Sequence, residues 1–214
     1  MKKNLTELVF ILDRSGSMEG LENDTIGGFN SLVKKQKEEP GEAIVSTVLF
    51  SDEMKVIHNR ISLNEVPLLT DKEYYVGGCT ALLDAIGFSI NKTVELRNKT
   101  PEEQHPEKTI FIITTDGMEN ASREYTYKKI KSLIECQKEK YGWEFIFLGA
   151  NIDAAAEASR MGIDSDNAVS YCCDTTGIEL NYKCLDEAIS ELRVNKCLSP
   201  NWRKKIDRDY QNRK

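Results

Sequence analysis

Short apolar runs alternate along the chain with longer stretches in which apolar residues recur every three or four positions. The short runs predict strands at 5–13, 43–50, 54–60, 109–115, 143–148 and, more weakly, 168–171. The longer stretches predict helices at 21–37, 81 to about 96, 124–140, 153–161 and 178–194, the first with Ile26, Phe29 and Val33 on one apolar face. Only Ser51-Asp52-Glu53 separates the second and third strands, so they form a hairpin and the third is an antiparallel edge. The run 109–115 is apolar almost throughout, as a central strand covered on both faces should be. Gly142 stands where a glycine ends a helix, and 61–78 reads as one long irregular surface connection. The alternation predicts an α/β fold: a doubly wound, mostly parallel six-stranded sheet with one antiparallel edge strand and helices on both faces.

With 214 residues, 40% of them hydrophobic, the chain is long enough for one well-cored domain, expected over 1–198. No apolar run approaches the roughly 18 residues of a membrane span, so no membrane partner is expected. The net charge of -6 is unevenly spread: residues 199–214 hold six basic and two acidic side chains, and the other 198 residues hold 23 basic and 33 acidic. Such a body repels a nucleic-acid backbone, which excludes that class of partner. The 199–214 segment has few apolar residues and is expected to be a flexible basic tail, with Trp202 the one feature against that reading. The apolar run from Leu8 to Leu12 is too short for the apolar stretch of a signal peptide, so the six cysteines are expected as reduced thiols and the cytoplasm as the location.

In a doubly wound sheet, ligands bind beyond the carboxyl ends of the strands where the winding reverses, so chemistry is expected after the first and the central strand. The first runs out into Asp13-Arg14-Ser15-Gly16-Ser17-Met18, with oxygen side chains at every second position and a glycine that lets them converge. The strand 109–115 runs out into Thr114-Thr115-Asp116-Gly117, and between the two motifs a Gly77-Gly78-Cys79 turn delivers Thr80 just ahead of a helix. Hydroxyls and carboxylates suit magnesium or manganese better than zinc or copper.

These three elements, in this order, resemble the metal-ion-dependent adhesion site of von Willebrand factor A domains, and the element order resembles that family from about residue 5 to 195. The resemblance implies a Rossmann-like fold and a metal site made of Asp13, Ser15, Ser17, Thr80 and Asp116. It implies hydroxyls that bind metal directly or through water, and aspartates that often act through bound waters. Mg2+ is the expected ion, with Mn2+ or Ca2+ as alternatives. Neutral hydroxyls leave much of its charge uncancelled, and an Asp or Glu carboxylate of a partner protein can take the remaining position. The expected function is therefore metal-dependent protein binding without catalysis. Gly-Cys-Thr-Ala-Leu-Leu-Asp-Ala and Phe147-Leu148-Gly149-Ala150-Asn151 look more like intracellular bacterial or phage members than adhesion receptors.

Other accounts use the same residues. Asp13 and Asp116 can be a turn carboxylate and a helix N-cap, with the serines satisfying loop amides. An Mg-dependent phosphoryl-transfer or hydrolytic enzyme would use Asp13 as nucleophile, Asp116 as base for a metal-bound water and Lys108 as charge clamp. Against it, position 15 is Ser where a second acid is expected, no P-loop lysine is present, and His58 and His105 read as surface histidines. Dinucleotide binding is set aside because 13–17 lacks the G-x-G-x-x-G turn; Gly27-Gly28 reads as a close-packing contact. Cys172, Cys173, Cys184 and Cys197 lack paired zinc-ligand spacing and read as buried thiols, while Cys79 beside Thr80 is either a loop filler or a reactive thiol. Met18, Glu19, Met118, Glu119 and Asn120 read as the rim of the site, with burial of Met18 and helix-end roles for the acids as the plainer alternatives.

Overall fold

The unbroken apolar run in β1 (Lys2–Asp13) reflects a strand flanked on both edges and covered on both faces. It pairs in parallel with β2 (Glu42–Phe50) on one side and with β4 (Pro106–Thr115) on the other. The computed structural model, which describes residues 1–195 and 198–213, has six strands in the order β3-β2-β1-β4-β5-β6, with β5 (Glu144–Ala150) and β6 (Ala168–Tyr171) continuing the parallel pairing. β3 (Met54–Ser62) is the antiparallel edge. Its ladder slips twice around Thr47, and Arg60 adopts a left-handed conformation (φ 52°). The doubly wound sheet and its antiparallel edge are as the periodicity predicts.

Alternation along β1 divides the core. Leu8, Phe10 and Leu12 pack with Phe29 and Leu32 of α1 (Glu22–Gln36) and with Leu185 and Ile189 of α5 (Thr175–Val194). Val9 and Ile11 face the other way, toward Ile86 and Ile90 of α2 (Leu82–Asn98) and Ile130 and Ile134 of α3 (Tyr127–Tyr141). The short α4 (Ala154–Arg160) adds Ala154 and Ala158 to that second layer. No helix among the described residues is long and apolar enough to cross a membrane. Gly28 is the close-packing contact expected of it, since a Cβ there would fall 2.0 Å from Tyr182 Cδ2; Gly27 faces open space.

Three expectations are corrected. The 61–78 connection is no mere surface loop: it buries Leu63, Val66, Leu69 and Tyr74 in the α1/α5 layer. His58 is buried, stacked on Phe29 with ring centroids 6.2 Å apart and bonded through Nδ1 to Thr47 Oγ1 at 3.0 Å, because the inner face of β3 lies under α1. His105 is half-buried, with Nε2 within 3 Å of the carbonyls of Arg97 and Thr100.

A further correction concerns the tail. In place of a flexible arm, residues 200–203 form a 3-10 turn and α6 (Lys204–Arg213) follows it, packed against α5 and β6. Trp202 and Ile206, four residues apart and so on one side of the turn, enter the same core as β1, and Trp202 Nε1 donates to the Asp166 carbonyl at 2.9 Å. Ion pairs of Lys205 with Glu187 (2.7 Å) and Arg213 with Asp174 (2.5 Å) flank them. A low apolar count thus hid a segment whose few apolar residues share one face. Cys197 of the four-thiolate reading and Lys214 of the tail lie outside the described residues.

Candidate metal site

Between β1 and β4 the winding reverses, β2 lying on one side of β1 and β4 on the other, so a crevice opens at their carboxyl ends. The parallel register pairs Leu12 with Thr114 and so sets Asp13 level with Thr115. Asp13 is buried and held at both oxygens: Oδ1 accepts from the Ser15 backbone N–H at 2.7 Å, and Oδ2 accepts from Thr115 Oγ1 at 2.6 Å. Its carbonyl accepts from the buried Tyr74 hydroxyl at 2.6 Å. A 3-10 turn, Gly16–Met18, then folds the chain so that Ser15 Oγ and Ser17 Oγ stand 3.1 Å apart, and Ser17 Oγ donates to Asp116 Oδ1 at 2.6 Å.

Thr80 arrives on a separate loop sewn to the first by Gly77 N to the Arg14 carbonyl (2.9 Å) and Gly16 N to the Gly78 carbonyl (3.0 Å). Gly78 sits at φ 80°, and a Cβ there would fall 1.8 Å from Asp52 Oδ1, so this turn requires glycine. Thr80 is fixed by its backbone, with Asn120 Oδ1 accepting from its N–H and its carbonyl accepting from Asn120 and Ala121. Its hydroxyl shares a small hollow with Ser17: a Cβ on Gly117 would stand 3.5 Å from Thr80 Oγ1 and 3.4 Å from Ser17 Oγ. The five residues expected at the site are therefore together.

Burial pushes the Asp13 carboxyl up to about 6 against the hydrogen bonds from Ser15 and Thr115, and burial raises Asp116 too. Among the described residues, no Lys or Arg figures among the causes that shift either carboxyl. Two acids made unfavourable by desolvation, surrounded by neutral hydroxyls, fit a hard divalent cation. Among the described residues no three His, Cys, Asp or Glu are grouped to hold a metal, so the hydroxyls are essential to the donor set.

The surroundings differ from expectation in several places. Lys108 lies near the start of β4, at the opposite end of the strand, where Nζ donates to the carbonyls of Leu192, Arg193 and Asn195; it is not a clamp for this site. Glu119 is no free rim acid: it accepts from the Leu83, Ala121 and Ser122 backbone N–H groups and from the Ser122 hydroxyl, capping α2. Met18 is buried, whereas Met118 is 67% exposed beside Asp116. Cys79 is exposed.

Four neighbours escaped the sequence reading as members of the site. Thr115 stands within the Thr114-Thr115-Asp116-Gly117 motif, next to the acid that the motif presents. Tyr74 comes from a distant loop with no local signal, and Asn151, whose Nδ2 donates to the Asp116 carbonyl at 3.2 Å, ends the Phe147-Leu148-Gly149-Ala150-Asn151 run at the carboxyl end of β5. Cys173 is half-buried with its sulfur 3.8 Å from Asp116 Oδ2; burial, and after it the Asp116 carboxylate, push its thiol up to about 12.

No family model matches the sequence, and no curated protein does. Solved structures do match its shape. Proximal thread matrix protein 1 from the mussel byssus, solved with a zinc-occupied MIDAS motif, is 12% identical with a TM-score of 0.59, over 89% of this chain and 47% of that one. A von Willebrand factor type A protein from Catenulispora acidiphila is 14% identical with a TM-score of 0.57, over 87% and 42%. The pilus adhesin SpaC from Lactobacillus rhamnosus GG, in an open conformation, is 12% identical with a TM-score of 0.66, over 90% and 30%. The chain spans less than half the length of each of these three, and at such identities the likeness is one of fold. With its sheet order, its antiparallel edge and these neighbours, the chain has the von Willebrand factor A fold.

Proposed function

We propose that this chain is a divalent-metal-dependent protein-interaction module. Asp13, Ser15, Ser17, Thr80 and Asp116 would hold the cation, Mg2+ before Mn2+ or Ca2+, and a partner protein's Asp or Glu would complete its coordination. The observation that carries the reading is the convergence of Ser17 and Thr80 hydroxyls on the hollow beside Gly117, with Ser17 bonded to the buried Asp116 carboxylate. When bound, the cation supplies a localised positive charge that attracts a carboxylate. The chain's own part is to aim the oxygens: Thr115 holds Asp13, Asn120 holds Thr80, and Asn151 holds the backbone of Asp116. Met118, exposed at the edge of the site, offers a partner an apolar contact. The mussel protein with its zinc-occupied MIDAS and the pilus adhesin, both sharing the fold, support a metal-dependent binding role. Cys79, Cys136, Cys172, Cys173 and Cys184 are free thiols, which supports placement in the reducing cytoplasm.

The test is calorimetric titration with Mg2+ and Mn2+, for the parent chain and Ser15→Ala, followed by capture of proteins from native lysate with Mg2+ or with EDTA. Binding of the ion by the parent, its loss in the variant, and capture only with Mg2+ are the expected results. A parent chain that takes up neither ion, or that captures the same proteins in EDTA, overturns the proposal.

A further inference from the structure

The two carboxylate oxygens of Asp116 are contacted from opposite sides. Ser17 Oγ donates to Oδ1 at 2.6 Å from the loop after β1, and Cys173 Sγ stands 3.8 Å from Oδ2 on the loop after β6. Strands β4 and β5 lie between β1 and β6, so the cysteine reaches across the top of β5 to a residue 57 positions away in the chain. A thiol is a weak donor, but Asp116 is 2% exposed and water has little access to replace it.

We propose that Cys173 is a positioning residue for the metal site: its S–H engages Oδ2 of Asp116 and keeps Oδ1 turned toward Ser17 and the hollow beside Gly117. The inference rests on the metal-binding reading above and adds to it a residue that belongs to none of the three sequence motifs.

The backbone that carries the sulfur is held from several directions. A Cβ on Gly177 would fall 1.9 Å from the Cys172 carbonyl oxygen, so the first turn of α5 closes directly against the peptide before Cys173. Asp174, the residue after it, caps α5 by accepting from the Gly177 N–H at 2.8 Å and pairs with Arg213 of α6. Tyr171 reaches through its hydroxyl to the Thr115 carbonyl at 3.5 Å. The chain on both sides of Cys173 is thus tied down, which holds its Cα in place and leaves rotation about the Cα–Cβ bond as the sulfur's remaining freedom. Serine is a poor replacement, because its shorter bond to oxygen draws the donor back from a contact that sulfur spans at 3.8 Å. Asparagine carries an N–H donor one bond further out and can make the contact.

The experiment measures Mn2+ affinity of the full chain from the electron paramagnetic resonance of the free ion, for the parent, Cys173→Ala, Cys173→Ser, Cys173→Asn and Cys172→Ala. Circular dichroism first establishes that each variant keeps the parent's fold. A group that orients a ligand typically changes metal affinity by about 10- to 100-fold, so Cys173→Ala and Cys173→Ser are expected to weaken Mn2+ binding by about ten-fold or more. Cys172→Ala is expected to bind as the parent does, and Cys173→Asn to recover most of the loss, which a role in packing alone would not allow. Parental affinity in the alanine and serine variants overturns the proposal, as does a loss that asparagine fails to reverse. A parent chain that binds no Mn2+ removes the metal reading itself, and this inference with it.

Discussion

Thr115 Oγ1 donates to Asp13 Oδ2 over 2.6 Å, joining the carboxyl ends of the two central strands directly beneath the candidate site. Hydrogen bonds to charged groups contribute about 1.5–3 kcal/mol, and a buried oxygen that loses its donor bears the desolvation cost as well. Thr115→Val keeps the shape and removes the donor. It is expected to lower stability by about 1–3 kcal/mol in urea denaturation and to weaken Mn2+ binding by about ten-fold or more. Unchanged Mn2+ affinity would show that the orientation of Asp13 does not matter to the ion.

Gly117→Ala separates folding from metal binding. The added methyl would stand 3.4 Å from Ser17 Oγ and 3.5 Å from Thr80 Oγ1, ordinary contact distances, and Gly117 is not among the residues of positive φ. The melting temperature of the metal-free chain should therefore stay close to the parent's while calorimetry finds Mn2+ binding lost. Tight binding in this variant would mean that the ion does not use the hollow.

The adjacent glycines of α1 should respond in opposite directions. Alanine is favoured over glycine in a helix interior by about 1 kcal/mol, and nothing lies within 4 Å of a Cβ on Gly27, so Gly27→Ala should raise the urea midpoint. A Cβ on Gly28 would meet the Tyr182 ring at 2.0 Å, and overpacking of this kind costs about 1–3 kcal/mol, so Gly28→Ala should lower it. Equal shifts in the two variants would contradict the α1/α5 packing described above.

Glu7 offers a test by pH. Burial pushes its carboxyl from an ordinary 4.5 up to about 7, against the pull of Arg60, whose Nε lies 2.9 Å away, and of Arg97. The folded chain then holds a proton that the unfolded chain releases near 4.5. This group's contribution to stability is full below about 4.5 and declines as pH rises toward 7. Denaturation midpoints from pH 4.5 to 8 for the parent and Glu7→Gln isolate the effect, because all other groups are common to both. The parent should lose stability relative to the variant across that window; a constant difference would show that Glu7 titrates normally.

Trp202→Ala tests the docking of the C-terminal segment. Truncating a buried aromatic costs about 3–5 kcal/mol, and Trp202 also donates to the Asp166 carbonyl. A large fall in the urea midpoint is expected, whereas a solvated arm would give a shift within about 0.5 kcal/mol.

Much of this was legible in the sequence because the signals are local. The run from Ile110 to Ile113 marks a central strand in four residues, and Asp13, Ser15 and Ser17 sit within one turn. Thr80 and Asp116 were found because glycines announce the turns that carry them, Gly77-Gly78 before one and Gly117 after the other. The misses involve contacts that only the folded sheet creates. Tyr74 meets Asp13 across 61 residues and Cys173 meets Asp116 across 57, with nothing in either neighbourhood to mark the destination. His58 is buried because an edge strand still has an inner face, here under Phe29. Trp202 and Ile206 carried the helical spacing of a docked segment, but the charges around them dominated the count.

The two margins of the sheet are finished differently. At β6 the C-terminal helix is packed alongside, while at β3 the ladder slips twice and the left-handed Arg60 breaks the regular rise of the backbone. A straight, fully extended margin would be a template on which another chain could add strand after strand. Here one border is packed against a helix and the other is crooked, and each device interrupts the straight ladder of backbone groups that such a template needs.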